Sequence, residues 1–278
     1  MVSDADPVAC RVSDRWGTPP AVGLHVDGAA LRRLSPAALL LRRPLRHIYD
    51  ERLDERLPEE MRTANLTLVF PSIHRSERNI PCLTVHPLGN LGPTAEVGGR
   101  PRTVDPTDPL RMATTLRRLS ADARSLGLSA TFEATHHGPE LGLPAFFVEI
   151  GYGTASEPPE GAVDLLARVL PDLVPDPQDR VAVGVGGGHY APHFTELALR
   201  RRWAFGHVIS RHALADLDRL TACSVFERTP GALGMVFARA EDAHHPSLAG
   251  LGSRLRDADA PSRDPSAEGA DDRSASGT

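Results

Sequence analysis

One stretch of the chain sets a histidine directly behind a run of glycines: Val183-Gly-Val-Gly-Gly-Gly-His-Tyr-Ala-Pro-His-Phe-Thr195. An apolar strand runs into Gly186, Gly187 and Gly188, then His189, then a proline placed to open a helix. Glycine takes positive φ without steric cost and lets a ligand approach the backbone. The three glycines can therefore cradle a phosphate or a carbonyl with backbone N–H groups near a helix start. No Gly-Lys-Ser/Thr follows, so this is not a P-loop, and the spacing is wrong for a dinucleotide fingerprint. His189 and His193 are four apart and would share a face if both were helical.

Eight of the twelve histidines lie between His74 and His212, mostly in short motifs where a strand ends. His74 and Arg75 follow an apolar run. His86 ends another, and Asn90 closes a Pro-Leu-Gly turn behind it. In Thr131-Phe-Glu-Ala-Thr-His-His-Gly-Pro139, strand alternation puts Phe132 and Ala134 on one face and Glu133 on the other. His136 and His137 then leave the strand together. Glu149 sits inside the apolar run Ala145–Ile150, where a carboxylate must be paired, metal-bound or raised in pKa. His207 follows a glycine in a strand. Neutral histidines with buried carboxylates suit either metal binding or general acid–base work.

These side chains need a layered scaffold. Apolar runs at Leu66–Phe70, Cys82–His86, Leu128–Ala134, Ala145–Ile150, Arg180–Val185, Ala204–Ile209 and Gly234–Arg239 read as strands. Helical spacing marks Leu110–Leu126, capped by Gly127, as well as Gly161–Leu170, Phe194–Arg201 and Arg211–Leu220. Helix is also expected at Pro36–Leu41 and around Tyr49–Arg62. Strands alternating with helices predict an α/β protein, a three-layer α/β/α arrangement with a central mixed sheet. Residues 1–252 are expected to form a single domain, and 253–278, polar and charged, a disordered tail.

Composition narrows the class. The 278 residues are 41% hydrophobic and 24% charged, ordinary for a globular protein. No apolar run reaches the roughly 18 residues that a membrane span needs. Cys10, Cys82 and Cys223 are too far apart for a CxxC metal motif, and a reducing cytoplasm is the simplest setting. The net charge is −5, yet every basic side chain other than histidine is arginine, and local arginine groups are able to meet phosphates.

Taken together, the motifs resemble the archaeal/plant-type D-aminoacyl-tRNA deacylase family. The resemblance rests on His-Arg-Ser (74–76), Leu-Thr-Val-His-Pro-Leu-Gly-Asn (83–90), Glu-Ala-Thr-His-His-Gly-Pro (133–139), Phe-Phe-Val-Glu-Ile-Gly (146–151), Gly-Gly-Gly-His-Tyr-Ala-Pro (186–192) and Gly-His-Val-Ile (206–209). It covers roughly residues 65–215. It implies a fold similar to peptidyl-tRNA hydrolases and phosphorylase-like proteins, one or two Zn²⁺ per chain, and hydrolysis of the ester that joins a D-amino acid to tRNA. His189, His136, His137, Glu149 and Glu133 are the implied catalytic groups. His74, Arg75, Asn90, Gly186, Gly187, Gly188 and Tyr190 are placed against substrate, and His86, His136, His189 and His207 on the metal. The partner implied is the aminoacylated 3′ end of tRNA, with neither membrane nor obligate protein partner. The chain departs from the family's pattern at His193, where an arginine or lysine is usual. Rival readings are a metal-free esterase with a histidine base, a non-catalytic or substrate-shifted paralogue that binds RNA or nucleotide, and a hydrolase of small nucleoside-like esters.

Overall fold

The computed structural model describes residues 1–74, 81–153 and 157–255. Eight strands form two four-stranded sheets. They are β1 (Leu68–His74), β2 (Cys82–Pro87), β3 (Ser129–Phe132), β4 (Ala145–Gly151), β5 (Arg180–Val185), β6 (Trp203–Ile209), β7 (Gly234–Phe237) and β8 (Ser253–Leu255). The first sheet has the order β3-β2-β4-β1 and is mixed, with β2 and β4 antiparallel and the two outer pairings parallel. The second, β6-β5-β7-β8, is parallel throughout.

One helical layer covers the apolar side of both sheets. It contains α1 (Pro7–Trp16), α2 (Pro109–Ala123), α3 (Glu160–Val169) and α4 (Pro192–Arg200). The longest, α2, begins with Pro109 behind Asp108, whose carboxylate accepts from Arg111 N, and buries Met112, Leu116 and Leu119. A 3-10 turn follows, and Gly127 ends it at φ 70°, a conformation that a side chain would strain. These helices meet Leu83, Val85, Phe146, Val148 and Ile150 of the first sheet in one core.

Two structures cover the opposite side. Over the second sheet lie α5 (Arg211–Ala215) and α6 (Arg219–Glu227), packed on Val183, Val185 and Ile209. Over the first lies a three-stranded antiparallel meander, Ala21–Val26, Ala29–Ser35 and Ala38–Leu40, with 3-10 turns at His47–Tyr49 and Leu53–Arg56. Leu31, Leu41 and Leu53 pack there against Phe70 and Phe147. The result is the expected α/β layering around a central mixed sheet. Among the described residues, no helix is long and apolar enough to cross a membrane.

Four local expectations change. Pro36–Leu41 is helix-prone in isolation, but Ala38–Leu40 pairs with the preceding strand and buries Leu40; tertiary pairing overrides propensity. Tyr49–Arg62 holds only one α-helical turn, Glu59–Arg62, with Pro58 closing off the 3-10 turns before it. Arg211–Leu220 is interrupted, because Asp218 accepts from Thr221 N and starts α6 afresh. Ser253–Leu255, expected in the disordered tail, form β8 alongside β7, and 256–278 lie outside the described residues.

Candidate active site

The first sheet aims its polar side chains at one place. Alternation sends Leu83 and Val85 of β2 into the helical core, so Thr84 and His86 face the other way. On β4 the neighbours Phe146, Val148 and Ile150 go to the helices, leaving Phe147 and Glu149 beside them on the opposite face. Register then sets Phe147 opposite His86, and Glu149 between Thr84 of β2 and Ser72 of β1. His74 closes the row at the end of β1, and its Nδ1 lies 3.2 Å from Glu149 Oε2.

The segment behind β3 stitches the two sheets together and brings in the rest. Glu133 N donates to Val85 O, Ala134 N to His189 O and Thr135 N to Val208 O. His136 and His137 are thereby swung beside His86, with ring centroids 4.0 and 4.9 Å from it, and His189 stands 4.6 Å from His136. His137 takes φ 43°, a left-handed conformation that a non-glycine residue holds only when its surroundings impose it.

The hydrogen bonds of this cluster are lopsided. His136 Nδ1 is paired with Ala134 O at 2.8 Å, and His137 Nδ1 with Gly138 O at 2.6 Å. Each ring thus holds its Nδ1 on a carbonyl and leaves Nε2 for the cluster, the arrangement by which ligating histidines are oriented. His86 likewise spends Nδ1 on Pro87 O, while its buried Nε2 has no hydrogen-bond partner among the described residues. Glu133 is fully buried (0% exposed), and among the described residues neither carboxylate oxygen has a hydrogen-bond partner. His74 Nδ1 does lie 3.2 Å from Glu133 Oε1, but it is aligned for a hydrogen bond only toward Glu149. Unpartnered buried polar atoms each cost on the order of 1–3 kcal/mol, so a cluster of them marks a ligand position.

The electrostatics agree. Burial and the neighbouring Glu149 charge push the Glu133 carboxyl well above the ordinary range. Burial would raise Glu149 too, but the hydrogen bond from His74 and the proximity of His86 and His137 outweigh it and hold Glu149 ionised. Burial and mutual repulsion hold His136 neutral and bring His137 and His189 down to about 4. Neutral imidazoles and a carboxylate pair form a donor set for a divalent transition metal. Three overlapping groups, His86/His136/His137, Glu133/His136/His189 and His74/Glu133/Glu149, each bring their donor atoms within 4.8 Å of one another, so these residues could hold a metal ion. A cavity of about 350 Å³ opens onto His74, His136, His137, Glu149 and His189.

The other predicted site residues stand elsewhere. His207 is not among those metal-holding groups: Nδ1 is paired with Thr135 Oγ1 and Nε2 with Asp105 O, so neither ring nitrogen is available. It is a core histidine, brought down to about 4 by burial. Folding withholds a proton that the unfolded chain binds below its ordinary 6.5, so its contribution to stability is present above that pH and is lost as the pH falls toward 4. His207→Gln is expected to bind metal like wild type and to be about 2 kcal/mol less stable at pH 7. That gap should narrow between pH 6.5 and 4, as followed by chemical denaturation. Loss of metal from this variant would restore His207 to the ligand set.

The three glycines do not line the cavity. Gly186 spends its N–H on Ile209 O, and a Cβ there would sit 2.1 Å from an Asp242 oxygen; the turn packs against its own sheet and delivers His189. Asn90 holds Gly98 O rather than a ligand. Tyr190 OH meets His74 Nε2 at 2.9 Å, one step back from the cluster. His189 and His193 do not share a helix face, because α4 starts only at Pro192. Arg75 lies outside the described residues.

Sequence reading missed two participants in the cavity wall. Asp6 caps α1 through Val8 N and Ala9 N with one oxygen, and accepts from Ser72 Oγ and Ile73 N with the other, tying the N-terminal segment to β1. His47 is buried against Phe70 and Phe147. Its only signal is a histidine within an arginine-rich run.

Comparison with known proteins gives a consistent answer. Residues 62–247 match the family described as D-aminoacyl-tRNA deacylase. A protein of that name from Thermoplasma acidophilum is 41% identical over 174 residues, 62% of this chain and 67% of the relative. Its namesake from Thermoplasma volcanium is 39% identical over 193 residues, 68% and 70% of the two chains. Another, from Thermococcus kodakarensis, is 34% identical over 186 residues, covering 66% and 67%. A crystal structure described as that of a conserved protein of unknown function superposes with a TM-score of 0.79 at 25% identity, over 93% of this chain and 94% of that one.

Proposed function

This chain belongs to the D-aminoacyl-tRNA deacylase family, and on that premise we propose that it hydrolyses the ester joining a D-amino acid to the 3′ end of tRNA, a proofreading step of translation. The observation that carries the reading is the buried cluster behind the cavity-lining His136 and His189, where His86 Nε2 and both Glu133 oxygens lack hydrogen-bond partners among the described residues. His86, His136 and His137 would hold zinc, with Glu133 and His189 grouped about the same His136. Zinc bound there supplies Lewis-acid polarisation of the ester carbonyl.

The chain's own groups carry the protons. Glu133, raised in pKa, is a fitting base for the attacking water and then a proton donor to the departing 3′-oxygen. Glu149 stays ionised and fixes the tautomer of His74, whose far nitrogen engages Tyr190. His189, 48% exposed at the cavity's edge, stands where the amino acid enters. The substrate exists where translation runs, which puts this activity in the cytoplasm. The purified protein should release D-tyrosine from D-tyrosyl-tRNA; no release under any metal loading would remove the reading.

A further inference from the structure

The active-site cavity has a second wall that the hydrolytic chemistry does not use. It is built by Arg46, His47 and Ile48, which line the same cavity as His136 and His189, and the 3-10 turn ends with Tyr49 just outside that lining. Arg46 differs from its neighbours. Arg42 pairs with Asp4, Arg43 with Asp27 and Asp50, Arg52 with Glu55, and Arg56 with Asp27 and Asp50. Among the described residues no carboxylate pairs with Arg46; its guanidinium instead lies 5.8 Å from the centroid of the Tyr49 ring. That ring is 53% exposed, and Val97, which also lines the cavity, is 42% exposed. Beneath them His47 is 2% exposed, and its Nε2 has no hydrogen-bond partner among the described residues.

A cation without a carboxylate partner and a buried imidazole on one wall, with an exposed aromatic ring next to the cation, match the parts of a nucleotide. Single-stranded nucleic-acid ends are held by stacking of bases on aromatic rings and by arginine at the phosphates. The ester that is cut hangs on the ribose of the last nucleotide. With the ester on the histidine cluster, that nucleotide needs a place beside it, and Arg46 and His47 line the same cavity. We propose that Tyr49, Arg46 and His47 form the subsite for the 3′-terminal adenosine of the aminoacyl-tRNA: the base stacks on Tyr49, the 5′-phosphate meets Arg46, and a ribose hydroxyl meets His47 Nε2. The proposal rests on the deacylase reading and assigns the part of the substrate that the histidine cluster does not touch.

The test is steady-state deacylation of D-tyrosyl-tRNA beside 3′-D-tyrosyl-adenosine, which lacks the phosphate. Tyr49→Ala should raise KM about tenfold on both substrates with kcat within twofold, as a lost stacking contact does, and Tyr49→Phe should restore it. Arg46→Gln should raise KM about fivefold on the tRNA only, with a weaker dependence on salt. Wild-type KM values in both Tyr49→Ala and Arg46→Gln, or a loss confined to kcat, would overturn the subsite while leaving the deacylase reading intact. Wild-type protein with no turnover of D-tyrosyl-tRNA would remove that reading, and the subsite with it.

Discussion

A Glu133→Gln protein is expected to lose about three orders of magnitude in kcat on D-tyrosyl-tRNA while keeping its fold and its metal. Glutamine preserves the shape of the side chain but cannot take a proton from water, and general acid–base groups contribute about 10²–10⁴-fold. A thousandfold loss corresponds to about 4 kcal/mol of barrier. The stability expectation runs the other way. Glu133 is wholly buried beside Glu149, and its oxygens have no hydrogen-bond partners among the described residues. Removing an ionisable group from that position relieves repulsion, so the metal-free variant should melt at or above the temperature of metal-free wild type. Activity within tenfold of wild type would show that Glu133 is not the base, whatever its melting temperature.

Metal removal should be nearly as damaging. Dialysis against a strong chelator is expected to lower turnover at least a hundredfold, and added Zn²⁺ to restore it, with elemental analysis reporting one or two ions per chain at full activity. Stability gives an independent readout. A ligand at about a hundred times its Kd stabilises the folded state by about 2.7 kcal/mol, so the melting temperature should rise with loading. Because His136 is held neutral and His137 and His189 are brought down to about 4, acid should compete with the metal less than for free imidazoles. Full activity in protein shown to be free of metal would leave the histidines as acid–base groups only.

Much of the site could be read from strand alternation alone. Phe132 and Ala134 face the helical core and Glu133 the opposite side, as the period of two requires. The same rule isolates Glu149 within an apolar strand, and its burial follows from the packing of β4 on both faces. What alternation cannot give is which strands become neighbours. His86 and His207 look alike in sequence, each near the end of a buried strand, but β2 lies against β4 in the first sheet while β6 is the edge strand of the second. Only that topology gives His86 a free Nε2 beside Glu149, 3.8 Å away, and His207 two protein partners.

The N-terminal region was hardest to read. Its arginines read as groups able to meet phosphates, whereas Arg43 is buried in a network with Asp50 and Asp27, and His47 is packed under Phe147. Long-range pairing made those contacts. Val2 N donates to Leu41 O, and the meander closes over the first sheet, which no local pattern in Pro36–Leu41 announces. The glycine run misled in a different way. Positive φ at Gly186 and Gly187 serves a tight turn that also accepts Arg211 N, and the residue that lines the cavity is the histidine it delivers.

The most direct test is a paired deacylation assay on D-tyrosyl-tRNA and L-tyrosyl-tRNA with zinc-loaded wild-type protein. The predicted result is rapid release of D-tyrosine, with the L ester surviving as long as it does in buffer. Equal rates on the two isomers, or no hydrolysis of either, would contradict the assignment.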